Sequence, residues 1–355
     1  MRILGERRGG AILVSSDPID TLSASTEARI ARDVLAAFKS YVESADPLQL
    51  IAILDNIEDD HTREQLEVFF ELDGAIQPTP LGDVLADVIL ALASFAGGVA
   101  ALAGAQARYT VNPGHRDVAA LRANAGGFLA RFMADTGDAI RHAIDRAMAS
   151  PGSTTRRASL LRQSIGLGVR QVASLQVMHD ALMGFVDAPI RRVPARTNAN
   201  GVRQPAVTVR RVDTNAILAS TRGSLSGAQR NMLKKALGNP SLTEADAIKI
   251  LDEHSAALRS FRIRSLVGEG VHALAETSKL TGWQIAQAFG ALPADQRRFW
   301  RTAGDERVRH SHAMVPGMNP QGVKLTEPFK TPFGPTITPP LEPGCRCRAT
   351  IKTKS

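Results

Sequence analysis

Residues 299–317, FWRTAGDERVRHSHAMVPG, and residues 343–350, PGCRCRAT, decide how this chain is organised. A proline-rich stretch without helical or strand periodicity joins them, and together they set a terminal segment apart from a helical remainder. Both cysteines, Cys345 and Cys347, lie here, with two of the eight histidines, His310 and His312, and one of the two tryptophans, Trp300. In extended backbone, residues i and i+2 project from the same face, so a short Cys-x-Cys strand aims two thiols at one point. His312, carried across by a hairpin-like loop, would supply a third zinc donor. His310 or Asp305 would supply a fourth, since zinc takes S, N and O donors tetrahedrally. The same residues also read as packing, with the thiols as small buried groups and His312 and Asp305 hydrogen-bonded within the turn. Arg307, Arg309 and Arg346 would then pair with Asp305 or with helix ends. A third reading makes Asp305, Arg309 and His312 a nuclease-like or transferase-like trio, because His can move protons and Arg can stabilise phosphate charge.

Working outward, helical spacing dominates. Residues 23–42 place apolar side chains at helical intervals behind cap-type Ser23 and Ser25. Residues 117–149 and 155–186 read as two long amphipathic helices, with Gly126-Gly127 and Gly166/Gly168 marking kinks or tight packing. Residues 226–237 form a basic helix, followed by helices over about 241–263 and 266–290, with Trp283 in the core of the terminal domain. A short helix from Pro293 is expected to lead into Trp300. Residues 88–105, VILALASFAGGVAALAGA, carry no charge. That length is borderline for a membrane span, which needs roughly twenty apolar residues. Small residues at Ala93, Gly97 and Ala101 let helices approach closely in lipid or in a protein core, so this stretch is either a buried bundle helix or a membrane contact.

The chain has 355 residues, enough for two or three domains, and a formal net charge of +8. That charge is unevenly spread: residues 1–110 hold 8 Lys/Arg against 17 Asp/Glu, and the remainder 35 against 18. Such a split points to polyanion contact by the basic part. Residues 189–221 read as an extended arm or β-hairpin rich in Pro, Asn and Arg. Arg191, Arg192, Arg196, Arg203, Arg210 and Arg211 would contact phosphates or a protein partner in equal measure. No aromatic residue is interleaved, which argues against base stacking. Two cysteines in Cys-x-Cys argue against a disulfide-framed secreted protein, and an apolar run of four residues near the amino terminus is too short for a signal peptide. Gly-x-x-x-x-Gly-Lys-Ser/Thr, His-Glu-x-x-His and Gly-x-Ser-x-Gly are absent, so enzymes built on those motifs are not indicated.

The ordered set Trp300, Thr302, Asp305, Arg307, Arg309, His312, Gly317, Cys345, Arg346 and Cys347 resembles the signature of the phage Mu F-like minor capsid, or head morphogenesis, family. It covers the last sixty residues well and the helical run from about Ser241 more loosely. The resemblance implies a non-enzymatic protein of a tailed phage or prophage, acting in head assembly or DNA packaging near the portal. It implies a place in the capsid interior, and in the host cytoplasm during assembly, as part of an oligomeric particle. Portal, major capsid or scaffolding protein and packaged DNA would be its partners, with membrane contact through 88–105 if it is ejected with the genome. A metal-dependent, toxin-like effector is the competing reading. The expected fold is mostly α. A helical domain over 1–188 is followed by a basic arm or linker over 189–225 and a small α+β module over 226–355, with either no cofactor or one structural zinc.

Overall fold

Helix-forming composition and 3.6-residue periodicity carry most of the chain, as the sequence predicts. The structure is a computed structural model that describes residues 6–7, 10–11, 17–55, 59–70, 80–149, 153–197, 203–204 and 206–352. The amino-terminal apolar run lies outside these residues except for Ala11. A short ladder of β1 (Glu6–Arg7) and β2 (Gly10–Ala11) precedes α1 (Pro18–Ser44), α2 (Pro47–Asp55), α3 (Asp59–Phe69) and α4 (Pro80–Gln106). Then come α5 (Arg116–Ala123), α6 (Gly127–Ala149), α7 (Thr154–Ser164) and α8 (Val169–Asp187). The two long helices expected over 117–149 and 155–186 are therefore each broken once, at their glycines. Gly166 sits at φ +75, a backbone state that glycine enters without steric cost, and a side chain there would strike Phe38 and Arg259.

The arginine-rich stretch folds as β3 (Ile190–Val193), β4 (Arg196–Thr197), β5 (Arg203–Gln204) and β6 (Val207–Arg210). After it come α9 (Thr214–Ser220), α10 (Gly227–Leu237) and α11 (Glu244–Ala288). The break expected near residue 264 is absent. No proline interrupts α11, and its start is fixed by reciprocal bonds in which Asp246 N–H donates to Thr243 Oγ1 and Thr243 N–H donates to Asp246. The chain ends with β7 (Arg297–Arg301), α12 (His310–Met318), β8 (Val323–Lys324) and β9 (Arg348–Ile351). Here a strand replaces the short helix expected before Trp300. Inward Arg298 and Trp300 alternate with more exposed neighbours, so period two prevails over period 3.6.

The chain divides into two compact units, Met1–Ala37 with Pro78–Phe132 and Ile263–Ser355, and Phe38–Gln77 with Met133–Arg262. These units do not follow the boundaries expected at 188 and 225. Their limits fall inside α1, α6 and α11, continuous helices that give residues to both.

In the first unit α4 buries Val88, Leu92, Phe95, Ala96, Val99, Ala100 and Ala103. Each fully buried large side chain contributes about 1.5–3 kcal/mol. At Gly282 of α11 a Cβ would collide with the Ala100 carbonyl, so the small residues of 88–105 meet a glycine on the facing helix. The helix is long and apolar enough to cross a membrane, yet in this fold it is partly buried, with Leu90 and Ile89 on its exposed side. In the second unit buried arginines close the loop after α7. Arg259 Nε donates to the Ile165 carbonyl at 2.7 Å, and Arg262 Nη1 to the Gly166 carbonyl at 3.0 Å. Asp135 pairs with Arg262, and desolvation lowers the Arg259 pKa to about 10.

Candidate metal centre

The terminal module is an antiparallel sheet in the order β8-β7-β9, with Trp300 opposite Ala349 and Arg298 opposite Val323 and Ile351. β9 is an edge strand, and unpaired edge groups must find partners. Residues of α11 supply them. Glu276 accepts the Ala349 N–H at 2.7 Å and Lys279 donates to the Ala349 carbonyl at 3.1 Å. The two side chains, both buried, pair with each other at 2.5 Å. One turn earlier His272 Nε2 donates to the Cys347 carbonyl at 2.8 Å. Residues 272, 276 and 279 share a helix face, so one stripe of α11 fixes the backbone of the Cys-Arg-Cys-Arg-Ala segment.

β9 begins at Arg348, and exposure alternates through the residues leading into it: Cys345, Cys347 and Ala349 are buried, while Arg346 and Arg348 are exposed. The two thiols therefore point inward together. His312, 3% exposed, enters from the first turn of α12. One donor atom from each of His312, Cys345 and Cys347 lies within 4.8 Å of the others. Cys347 Sγ is 3.7 Å from His312 Nδ1. Around a tetrahedral zinc with bonds of about 2.3 Å to sulfur and about 2.0–2.1 Å to nitrogen, those atoms would stand about 3.6 Å apart. The donor types and the spacing fit a metal ion. His312 Nε2 donates to Glu342 at 2.9 Å, which leaves the Nδ1 lone pair facing the sulfurs. A carboxylate behind a ligating histidine fixes its tautomer and orientation.

The electrostatics favour Cys345 as the thiolate of the pair. Hydrogen bonding with Cys347, with help from the backbone N–H groups of Leu341 and Cys347, holds the Cys345 thiol below its usual range. The same shared proton and burial push the Cys347 thiol up. The buried Trp300 indole N–H has no oxygen or nitrogen partner and favours the charged form of Cys347. It is an unsatisfied donor facing a sulfur.

Arg298 organises the proline-rich stretch that brings Glu342 and the cysteines back to the sheet. Fully buried, it donates to the Glu327 carbonyl at 2.6 Å and to the carbonyls of Lys324 and Ile337, and stacks 4.6 Å from the Phe329 ring centroid. Phe329 in turn meets Trp300 edge-on at 5.2 Å. Desolvation lowers the Arg298 pKa to about 10. Asn319 completes the frame by donating to the Lys330 carbonyl and accepting the Lys330 N–H.

The structure thus gathers three of the four expected donors and leaves out His310. That residue is exposed at the start of α12, because adjacent-but-one positions on a helix point to different sides. Asp305 is also not a donor. It is exposed and accepts from Arg346 at 2.7 and 2.9 Å, which holds its carboxyl below the usual range. Arg309 donates to the Pro343 carbonyl at 2.9 Å, and the Arg307 N–H bonds Asp305 at 3.2 Å. Gly317 is exposed with open space around it, and nothing in the structure explains why it is glycine. Sequence reading missed Glu342, His272, Glu276, Lys279 and Arg298. Only the polar 272/276/279 spacing within an apolar helix offered a signal.

In the arm, Arg191, Arg192, Arg203 and Arg211 are exposed and Arg196 lies on β4. Arg210 departs from its expected role as a phosphate contact. Its guanidinium donates to the carbonyls of Val186, Ala188, Pro240 and Leu242 and lies 5.2 Å from the Phe185 ring centroid, which makes it the anchor of the hairpin base. No family model, curated protein or solved structure matches this chain.

Proposed function

We propose that the chain is a minor capsid, head morphogenesis protein of a tailed phage or prophage, whose terminal module is stapled by one structural zinc on His312, Cys345 and Cys347. The supporting observation is convergence. His312, Cys345 and Cys347, three of the residues that carry the family resemblance, meet at one buried point although up to 35 positions separate them, and at the surface Arg309 and Arg346 tie the flanking segments to the Pro343 carbonyl and Asp305. A signature that closes on a single site is what a folded module requires, whereas scattered coincidences would have no reason to meet. The zinc would link α12 to the Cys-Arg-Cys segment, with Glu342 orienting His312 and Trp300 facing Cys347. A structural role suits these residues better than turnover. His312 has one ring nitrogen on Glu342 and the other toward the thiols, Asp305 is paired with Arg346, and Arg309 donates to the Pro343 carbonyl, so the three do not converge as the acid–base trio would require.

In this reading the protein assembles with portal, capsid or scaffolding protein inside the head. Mass spectrometry of particles purified after induction of the source strain tests it: the chain is expected at low copy, and complete, infectious particles lacking it would overturn the assignment. The exposed apolar side of α4 supports a second reading as an ejected, membrane-active protein. Leu90, 66% exposed, is the position to test. Leu90→Arg should abolish insertion into lipid vesicles without unfolding the chain, and unchanged insertion would remove this reading.

A further inference from the structure

The arm is two short antiparallel ladders in a common register. The first pairs Ile190 with Arg210 through Val193 with Val207, and the second pairs Arg196 with Gln204 and Thr197 with Arg203, so the position numbers of paired residues keep one sum across both. Between Arg191 and Val212 there are six arginines and no acidic residue. Side chains alternate between the faces of a strand, which places Arg191 and Arg203 on one face and Arg192 on the other. All three are exposed, while Arg210 is drawn inward to fix the base. The result is a two-stranded ribbon, anchored at one end, with cations on both faces.

We infer that this ribbon docks in the major groove of duplex DNA and binds it without sequence preference. A two-stranded ribbon fits a B-DNA major groove about 12 Å wide, whose walls present phosphates on both sides. Arginine on both faces matches that arrangement, whereas a membrane surface would engage one face at a time. A-form RNA offers a deep, narrow major groove that excludes the ribbon. Single strands are held largely by aromatic stacking, and the ribbon has no aromatic residue. The binding energy comes from phosphate contacts and counterion release.

The test uses the full chain and a fluorescein-labelled 30-base-pair DNA duplex of arbitrary sequence, with anisotropy followed between 50 and 300 mM NaCl. Each phosphate contact contributes roughly 0.9 to the slope of log affinity against log salt. Arg191→Ala/Arg192→Ala/Arg203→Ala is therefore expected to flatten that slope by about 2–3 and to weaken binding at 50 mM salt at least tenfold. Lysine at the same three sites should restore the slope, which separates loss of charge from loss of fold. An RNA duplex and a single strand should bind more weakly than the DNA duplex. The inference fails if the alanine variant keeps the wild-type slope, or if the arm drives binding to vesicles of anionic lipid while the DNA duplex is ignored. It stands independently of the capsid reading, because particle content does not enter the measurement.

Discussion

The terminal module and the hairpin arm are both rich in arginine, and they use it in opposite ways. In the module Arg298, Arg309 and Arg346 each end on a partner within the module, a set of loop carbonyls, the Pro343 carbonyl and Asp305. In the arm Arg191, Arg192 and Arg203 extend to solvent, and Arg210 at the base turns inward. The same guanidinium is a fastener where backbone carbonyls converge on it and a surface charge where the backbone pairs with itself. The arm's strands pair along one side and face solvent along the other, so few of their backbone groups are buried and in need of side-chain donors. The irregular proline-rich stretch cannot satisfy its own groups, and its buried carbonyls demand donors. Residue type alone does not separate these roles.

The contrast can be broken most forcefully at the candidate metal site. Cys345→Ser/Cys347→Ser is expected to take the zinc content from about one ion per chain to none by elemental analysis. It should also abolish the near-ultraviolet dichroism of the packed Trp300, because binding energy at structural zinc sites is folding energy. Wild-type protein without metal would leave the Cys-Arg-Cys segment as packing alone. Next in size, Arg298→Met should cost about 3 kcal/mol in urea denaturation, since it orphans the buried carbonyls that Arg298 satisfies. A loss below about 1 kcal/mol would mean that the proline-rich stretch is ordered by something else.

Within the arm, Arg210→Ala should lower stability by about 2 kcal/mol, whereas Arg192→Ala should stay within about 0.5 kcal/mol. Equal effects would erase the distinction between anchor and exposed arginine. The smallest effect concerns the exposed Asp305–Arg346 pair. Arg346 lowers the Asp305 pKa, so its contribution is present above the unfolded value, about 3.9, and is lost as pH falls through the folded value. Arg346→Ala should therefore reduce the thermal midpoint slightly at pH 7 and leave it unchanged near pH 2, and an effect of equal size at both would rule out the ion pair as its cause.

The helices and the Cys-x-Cys alternation were legible in the sequence because both depend on local spacing. Apolar residues at 3.6-residue intervals mark α1, α8 and α10, and i, i+2 geometry in extended chain was enough to put Cys345 and Cys347 on one face. The continuity of α11 was not legible, since no local residue at 263–266 either breaks a helix or guarantees one. The strand at 297–301 was also missed, because Arg298 reads as a surface residue until the carbonyls that bury it are in place. His310 illustrates the same limit: as a residue type it is as good a ligand as His312, and only the rotation of α12 about its axis chooses between them.

The sequence by itself determined a mostly helical chain, a basic arm between helical stretches and a terminal cluster of thiols and imidazoles. Tertiary structure alone decided that His312 and not His310 meets the cysteines, that Glu342 stands behind it, that α11 clamps β9, and that Arg210 is an anchor. The physical reason is range. Periodicity and turn chemistry act within a few residues, whereas ligand sets and buried polar networks join positions separated by thirty or more, and their geometry exists only once the intervening chain has closed.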